Sequence, residues 1–202
     1  LSHKPKDKDL YFCYTNLDLT STVTGCVANI PNFTVLAIQK SMTKPDSMKR
    51  KIEVIARATA DDLYVIWGKI NDLALPVSTL TIELPKGEIH QIVGPKGGLE
   101  VAVRNIFPIS HQEFLTYLAI SDPFCMLTGD GSFIEGLSLK DINGLHKIVL
   151  YQIQSWKQNL FDAFRELTEN EQLNVPYAKA WFLFFHPETN PCQTNNPMAD
   201  TS

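Results

Sequence analysis

A chain of 202 residues with 44% hydrophobic composition can build one sizeable core, or one core with a small appendage. Twenty-two acidic against eighteen basic residues leave a formal charge of -4, and no long basic run supplies the field that nucleic acid demands, so nucleic-acid binding is set aside. No apolar run reaches membrane-spanning length, and Cys13, Cys26, Cys125 and Cys192 stand far apart with no Cys-x-x-Cys pair, which suits a soluble chain in a reducing compartment.

In chain order, residues 1–8 mix charges of both signs around Pro5 and read as a linker. Leu10–Thr15 is short, aromatic and bounded by polar residues, as a buried strand is. Thr20–Ile30 is β-branched but compatible with a helix, and Phe33–Gln39 reads as a second buried strand. In SMKRKIEVIARAT, Met48, Ile52, Ile55 and Ala56 share one helical face, which predicts a helix followed at once by a strand over Asp62–Gly68. A turn-rich section with Gly-Pro-Lys-Gly-Gly at 94–98 leads to a strand over Glu100–Ile106.

The alternation then becomes regular. Ser110 and Glu113 form a capping box for a helix with Phe114, Leu115 and Leu118 on one face. A strand follows at 124–128, a short helix at 132–139, a strand over Lys147–Ile153 and a helix over Ser155–Leu167. The aromatic segment YAKAWFLFFH, at 177–186, suits a helix that closes the core or covers a neighbour, and residues 189–202 read as a disordered tail. With neither an initiating Met nor a signal-like start, the chain is expected to be cut from something longer.

Strands alternating with helices require crossovers. The expected fold is therefore α/β, a Rossmann-like and mostly parallel sheet with helices on both faces, spanning residues 9–188. Ligands of such sheets bind at the carboxyl ends of the strands. That rule gathers Tyr14-Thr15-Asn16, Arg104–His111, Thr128–Ser132 and Tyr151–Trp156 at one edge.

The turn Thr128-Gly129-Asp130-Gly131-Ser132 is the most informative of the four. A helix beginning near Ser132 presents unpaired amides and a partial positive charge, and the glycines let an anion approach the backbone, which suits phosphate. The bland alternative is a Ser132-x-x-Glu135 capping box with Gly129 serving only the turn. Rival motifs fall away: Gly-Pro-Lys-Gly-Gly lacks the ending of a P-loop and reads as a turn between strands, and no Gly-x-Gly-x-x-Gly follows the first strand. The five histidines lack ligand spacing, and there is no Gly-x-Ser-x-Gly elbow.

In the order LYFCYTN, then VRNIFPISHQEFLTYLAISDPFCMLTGDGSFIEGLSL, then KIVLYQIQSWKQNLFDAF, residues 9–167 resemble the C-terminal, donor-binding lobe of a GT-B glycosyltransferase. The nearest pattern is that of protein-arginine rhamnosyltransferases acting on elongation factor P; some toxins that bacteria deliver into host cells are similar to the same degree. Where the rhamnosyltransferase pattern has Arg-Gly-acid-Asp-Ser, this chain has Thr-Gly-Asp-Gly-Ser, one base and one acid fewer.

The resemblance implies transfer of a sugar from a nucleotide diphosphate sugar, with no further cofactor or metal, to an acceptor that includes protein. It places Tyr14 and Asn16 beside the diphosphate or sugar, Gly129, Gly131 and Ser132 on the diphosphate, and Asp130, the expected catalytic residue, at the acidic position of the turn, where its repulsion of a diphosphate turns it to sugar hydroxyls or to capping its helix. The Phe107–His111 loop would frame the base, and Gln152 and Gln154 would reach the donor. Arg104 would neutralise phosphate, the commoner alternative being a strand arginine paired with a surface acid. Tyr14 as a half-buried strand residue and the two glutamines as solvated loop residues are the plain readings of those positions.

A GT-B enzyme needs a second, N-terminal lobe, so the isolated chain is expected to bind without turning over. The expected location is the cytoplasm, with delivery into a host as a secreted effector as a variant. The alternative from another class is a non-enzymatic protein-interaction domain, for example of a bacterial effector, docking through Tyr177, Trp181, Phe182, Phe184 and Phe185.

Overall fold

The computed structural model describes residues 8–15, 29–45, 51–152 and Glu166. The chain divides into two compact units, Leu1–Leu17 with Ala28–Gln152 and Asp18–Val27 with Ile153–Ser202; Glu166 apart, the described residues belong to the first. Apart from Asn29, Ile30 and Glu166, the segments at 20–30, 155–167 and 177–186 lie outside the described residues, as does the tail.

Seven strands are described: β1 Lys8–Tyr14, β2 Lys51–Ile55, β3 Val77–Glu83, β4 Ile89–Val93, β5 Leu99–Arg104, β6 Phe124–Leu127 and β7 Ile148–Tyr151. Four helices accompany them: α1 Ile30–Met42, α2 Asp62–Asp72, α3 His111–Ile120 and α4 Asp130–Ser138. The strands form one sheet in the order β4-β3-β5-β2-β1-β6-β7. Every neighbouring pair is parallel except β3 with β4, a hairpin that leaves β4 at one edge. The architecture is the expected α/β, mostly parallel sheet. From β1 the chain steps to β2 on one side, and from β5 it crosses back to β6 on the other. The sheet thus changes winding direction between β1 and β6, the place where ligands of such sheets bind as a rule.

Helices cover both faces. On one, Tyr11 shares a 2.9 Å hydrogen bond with Ser41 at the end of α1, and Phe33 stacks on Phe124 at 5.3 Å. On the other, Leu10, Phe12, Ile55, Cys125, Leu127 and Val149 form one core with Phe114 and Leu118 of α3, and Phe133 and Leu137 of α4 pack against it. β1, β2 and β6 are therefore buried on both sides, while β3 and β5 fully bury residues on one face only.

Three expected elements are corrected. Phe33–Gln39 is not a strand but the body of α1, despite its β-branched composition. Asn29 caps the helix by accepting from the Asn32 amide at 2.9 Å, Pro31 sits in the first turn, and buried Ile30, Thr34, Ala37, Ile38 and Ser41 recur at helical spacing. The helix predicted through Met48, Ile52, Ile55 and Ala56 is corrected from Lys51 on, Met48 lying outside the described residues: Lys51–Ile55 is β2, in which Ile52 and Ile55 point to opposite faces and Glu53 and Val54 are buried with them. The predicted strand over Asp62–Gly68 is the start of α2, whose buried Leu63, Ile66 and Ile70 follow a three-and-four spacing, with Asp62 accepting the Thr59 amide at 2.8 Å.

Gly-Pro-Lys-Gly-Gly is the turn from β4 to β5. A Cβ at Gly98 would lie 2.6 Å from the Pro76 carbonyl and one at Gly94 would lie 2.7 Å from Trp67, so close backbone packing selects these glycines. At the amino end of the sheet, Lys44 joins buried Asp9 at 3.0 Å and Asp122 at 2.9 Å, and buried Lys147 donates to the Ser121 carbonyl at 2.9 Å. That end is fastened by charge, and the carboxyl end is where loops converge.

Candidate ligand site at the carboxyl edge

Tyr14, Leu127 and Tyr151 are register partners across β1, β6 and β7, each the last residue of its strand. Beyond them lies the turn into α4. Gly129 is the N-cap with φ 85°, a left-handed conformation that favours glycine, and the first intrahelical bond runs from the Phe133 amide to the Gly129 carbonyl at 3.0 Å. The amides of Asp130, Gly131 and Ser132 precede that bond and carry the positive end of the helix dipole. Among the described residues, a Cβ built on Gly129 or on Gly131 meets nothing within 4 Å.

The Ser132 capping-box expectation is corrected here. Ser132 lies inside the first turn rather than at the cap, and no side chain caps α4. The reason is Gly129, whose positive φ starts the helix three residues earlier than the Ser-x-x-Glu pattern suggests. Glu135 instead meets His111 at 2.7 Å, tying α4 to the first residue of α3. The Ser110–Glu113 box on α3 is complete in both directions, as the sequence predicts.

Asp130 accepts from the Tyr151 hydroxyl at 3.0 Å, and the Tyr151 ring packs on Phe133 at 4.8 Å. Gln152 is buried; its amide donates to the Leu127 carbonyl at 2.8 Å and its carbonyl accepts from Thr128 Oγ1 at 3.2 Å, extending the join of β6 and β7 past their last residues. Tyr14 is half-buried, with Phe114 edge-on at 5.3 Å and Phe107 at 5.7 Å. Asn16 and Gln154 lie outside the described residues.

The fold thus brings Tyr14, Gly129, Asp130, Gly131, Ser132 and Gln152 to the ends of adjacent strands. Arg104 also ends a strand, but its guanidinium donates to Glu83 at 2.8 Å and to Glu53 at 3.0 Å, and Lys8 joins the same Glu53. Those carboxylates hold the Arg104 charge and raise its pKa further. A different arginine stands over the aromatic rings. Arg57, two residues beyond β2, places its guanidinium carbon 5.6 Å from the Tyr14 ring centre and 5.4 Å from that of Phe107. Its signal in the sequence is a lone Arg directly after a buried apolar run, hidden when that run is read as a helix.

Comparison with protein-family models, with curated proteins and with solved structures yields no match. Among the described residues no helix is long and apolar enough to cross a membrane, and no group of three or more His, Cys, Asp or Glu side chains could hold a metal ion. The chemistry this edge offers is anion recognition by helix-terminal amides beside an aromatic wall.

Proposed function

We propose that this edge is the donor site of a GT-B-type glycosyltransferase lobe, binding a nucleotide diphosphate sugar for transfer to an acceptor, protein included. The observation that carries the reading is the opening of α4 at the switch between β1 and β6, with Gly129 and Gly131 exposing the helix amides. In the intact enzyme a second lobe would supply the acceptor.

The lobe's own contribution would be electrostatic. As the bond from sugar to diphosphate breaks, negative charge grows on the leaving phosphate; amides of Gly131 and Ser132 and the Ser132 hydroxyl would stabilise it there more than in the resting donor. Asp130 repels a diphosphate, so it would face sugar hydroxyls, with Tyr151 holding its Oδ1 in place. The Phe107–His111 loop would frame the base, and Tyr14 would flank the sugar or diphosphate.

Calorimetric titration of the chain with UDP, GDP and TDP tests this. Micromolar binding of one nucleotide, weakened about tenfold in Ser132→Ala, is the expected result. No heat with any of the three overturns it.

A further inference from the structure

Arg104 is poorly suited to be a ligand's counter-charge at this edge. Its guanidinium already makes two short bonds to Glu83 and Glu53, so a phosphate there would compete with two carboxylates. His111, exposed at the start of α3, is engaged by Glu135. Arg57 differs from both: among the described residues it forms no ion pair, and its contacts are the faces of Tyr14 and Phe107.

We propose that Arg57 is the cation that receives the diphosphate of the ligand; this rests on the nucleotide-diphosphate reading of the edge. Four physical features carry it. Position comes first: Arg57 follows β2, the strand beside β1, while α4 follows β6 on the other side of β1, so the cation and the helix amides flank the switch strand. The rings then hold the guanidinium carbon at 5.6 and 5.4 Å from their centres, and no hydrogen bond to a described residue occupies its N–H groups, which a phosphate can engage in the two-pronged way that suits a guanidinium. Aromatic faces attract a cation but carry no net charge, so the positive charge survives where a carboxylate would have cancelled it. Half-burial among these rings also strengthens an ionic contact relative to open water.

The same geometry gives Tyr14 a second task. With its ring centre 5.6 Å from the guanidinium carbon it places the cation, acting towards phosphate as a positioning residue.

The experiment is calorimetry on the full chain with UDP, GDP, TDP and base-free pyrophosphate at low and moderate salt, comparing wild type with R57Q, R57K and R104Q. Thermal melts confirm that each variant is folded. Expected are about a tenfold or greater loss in R57Q with a shallower salt dependence, a smaller loss in R57K, and a change within about twofold in R104Q. Wild-type affinity in R57Q, or a larger loss in R104Q than in either Arg57 variant, overturns the proposal while leaving the donor-site reading standing. Absence of binding to the wild-type chain overturns both. If R57Q does not fold, R57K against R104Q decides by the same ordering.

Discussion

Tyr151 donates its hydroxyl hydrogen to Asp130 Oδ1 at 3.0 Å, so the last residue of β7 fixes the first residue of α4. The bond joins a buried ring to an exposed carboxylate at the turn proposed to meet the donor. Tyr151→Phe removes the bond and keeps the ring, and is expected to lower stability by about 0.5–1.5 kcal/mol in chemical denaturation. Asp130→Asn keeps an acceptor for Tyr151 and should leave stability within about 0.5 kcal/mol. In calorimetry it should bind the bare nucleotide as wild type does and lose about tenfold for the sugar-bearing form. Equal affinity of D130N for the nucleotide sugar removes Asp130 from the sugar.

Two glycines of α4 should respond in opposite ways to alanine. At Gly131 an added Cβ meets no described residue within 4 Å, so Gly131→Ala is expected to stabilise by up to about 1 kcal/mol through helix propensity. Ligand affinity should nevertheless fall, because the methyl stands where an anion must approach the amides. At Gly136 the Cβ would lie 2.6 Å from Leu127 Cδ1 and 2.9 Å from Val149 Cγ2, both in the buried core. Gly136→Ala should cost about 1–3 kcal/mol by urea denaturation, as overpacking does.

Cys13 and Cys125 are buried, and burial pushes both thiols up, that of Cys125 to about 12. Few thiolates then exist at neutral pH, and reagent has no access. Brief iodoacetamide treatment of the folded chain followed by peptide mapping should find both unmodified, and both labelled after guanidinium unfolding. Native-state labelling at either residue contradicts the packing of β1 against β6.

The Ser110–Glu113 box predicts a pH signature. The backbone amide of Ser110, and then its hydroxyl, bond the Glu113 carboxylate and hold its pKa below the ordinary range. A carboxyl lowered in the folded state contributes stability that is present above its unfolded pKa and lost as pH falls through the folded one. The contribution should be full at neutrality and disappear in acid below the usual glutamate range. Side-chain carboxyl NMR titration should show Glu113 titrating low, and Ser110→Ala should return it towards the ordinary value.

Much of the carboxyl-terminal half of the sheet is legible locally. The strands near 100–106, 124–128 and 147–153 and the capped helix at 110 stand where the residues point, because short apolar runs alternate there with explicit start signals. Between residues 30 and 72 the same reasoning exchanges helix for strand. Phe33–Gln39 has strand composition, yet the Asn29 cap and the burial spacing make α1; Lys-Ile-Glu-Val-Ile has helical spacing, yet neighbours on both sides make β2. A strand buried on both faces shows no period of its own, so only its partners reveal it.

The sequence by itself determined the α/β alternation and the carboxyl-edge loops with the Gly129–Ser132 turn, because caps, breakers and short buried runs act over a few residues. Tertiary structure alone decided the strand order, the switch between β1 and β6, the start of α4 at Gly129 rather than Ser132, and that Arg104 meets carboxylates while Arg57, among the described residues, meets aromatic rings and no ion-pair partner. The physical reason is range. Glu83 and Glu53 reach Arg104 across 21 and 51 positions of sequence, and Arg57 meets Tyr14 and Phe107 only because β1, β2 and β5 lie side by side in the sheet.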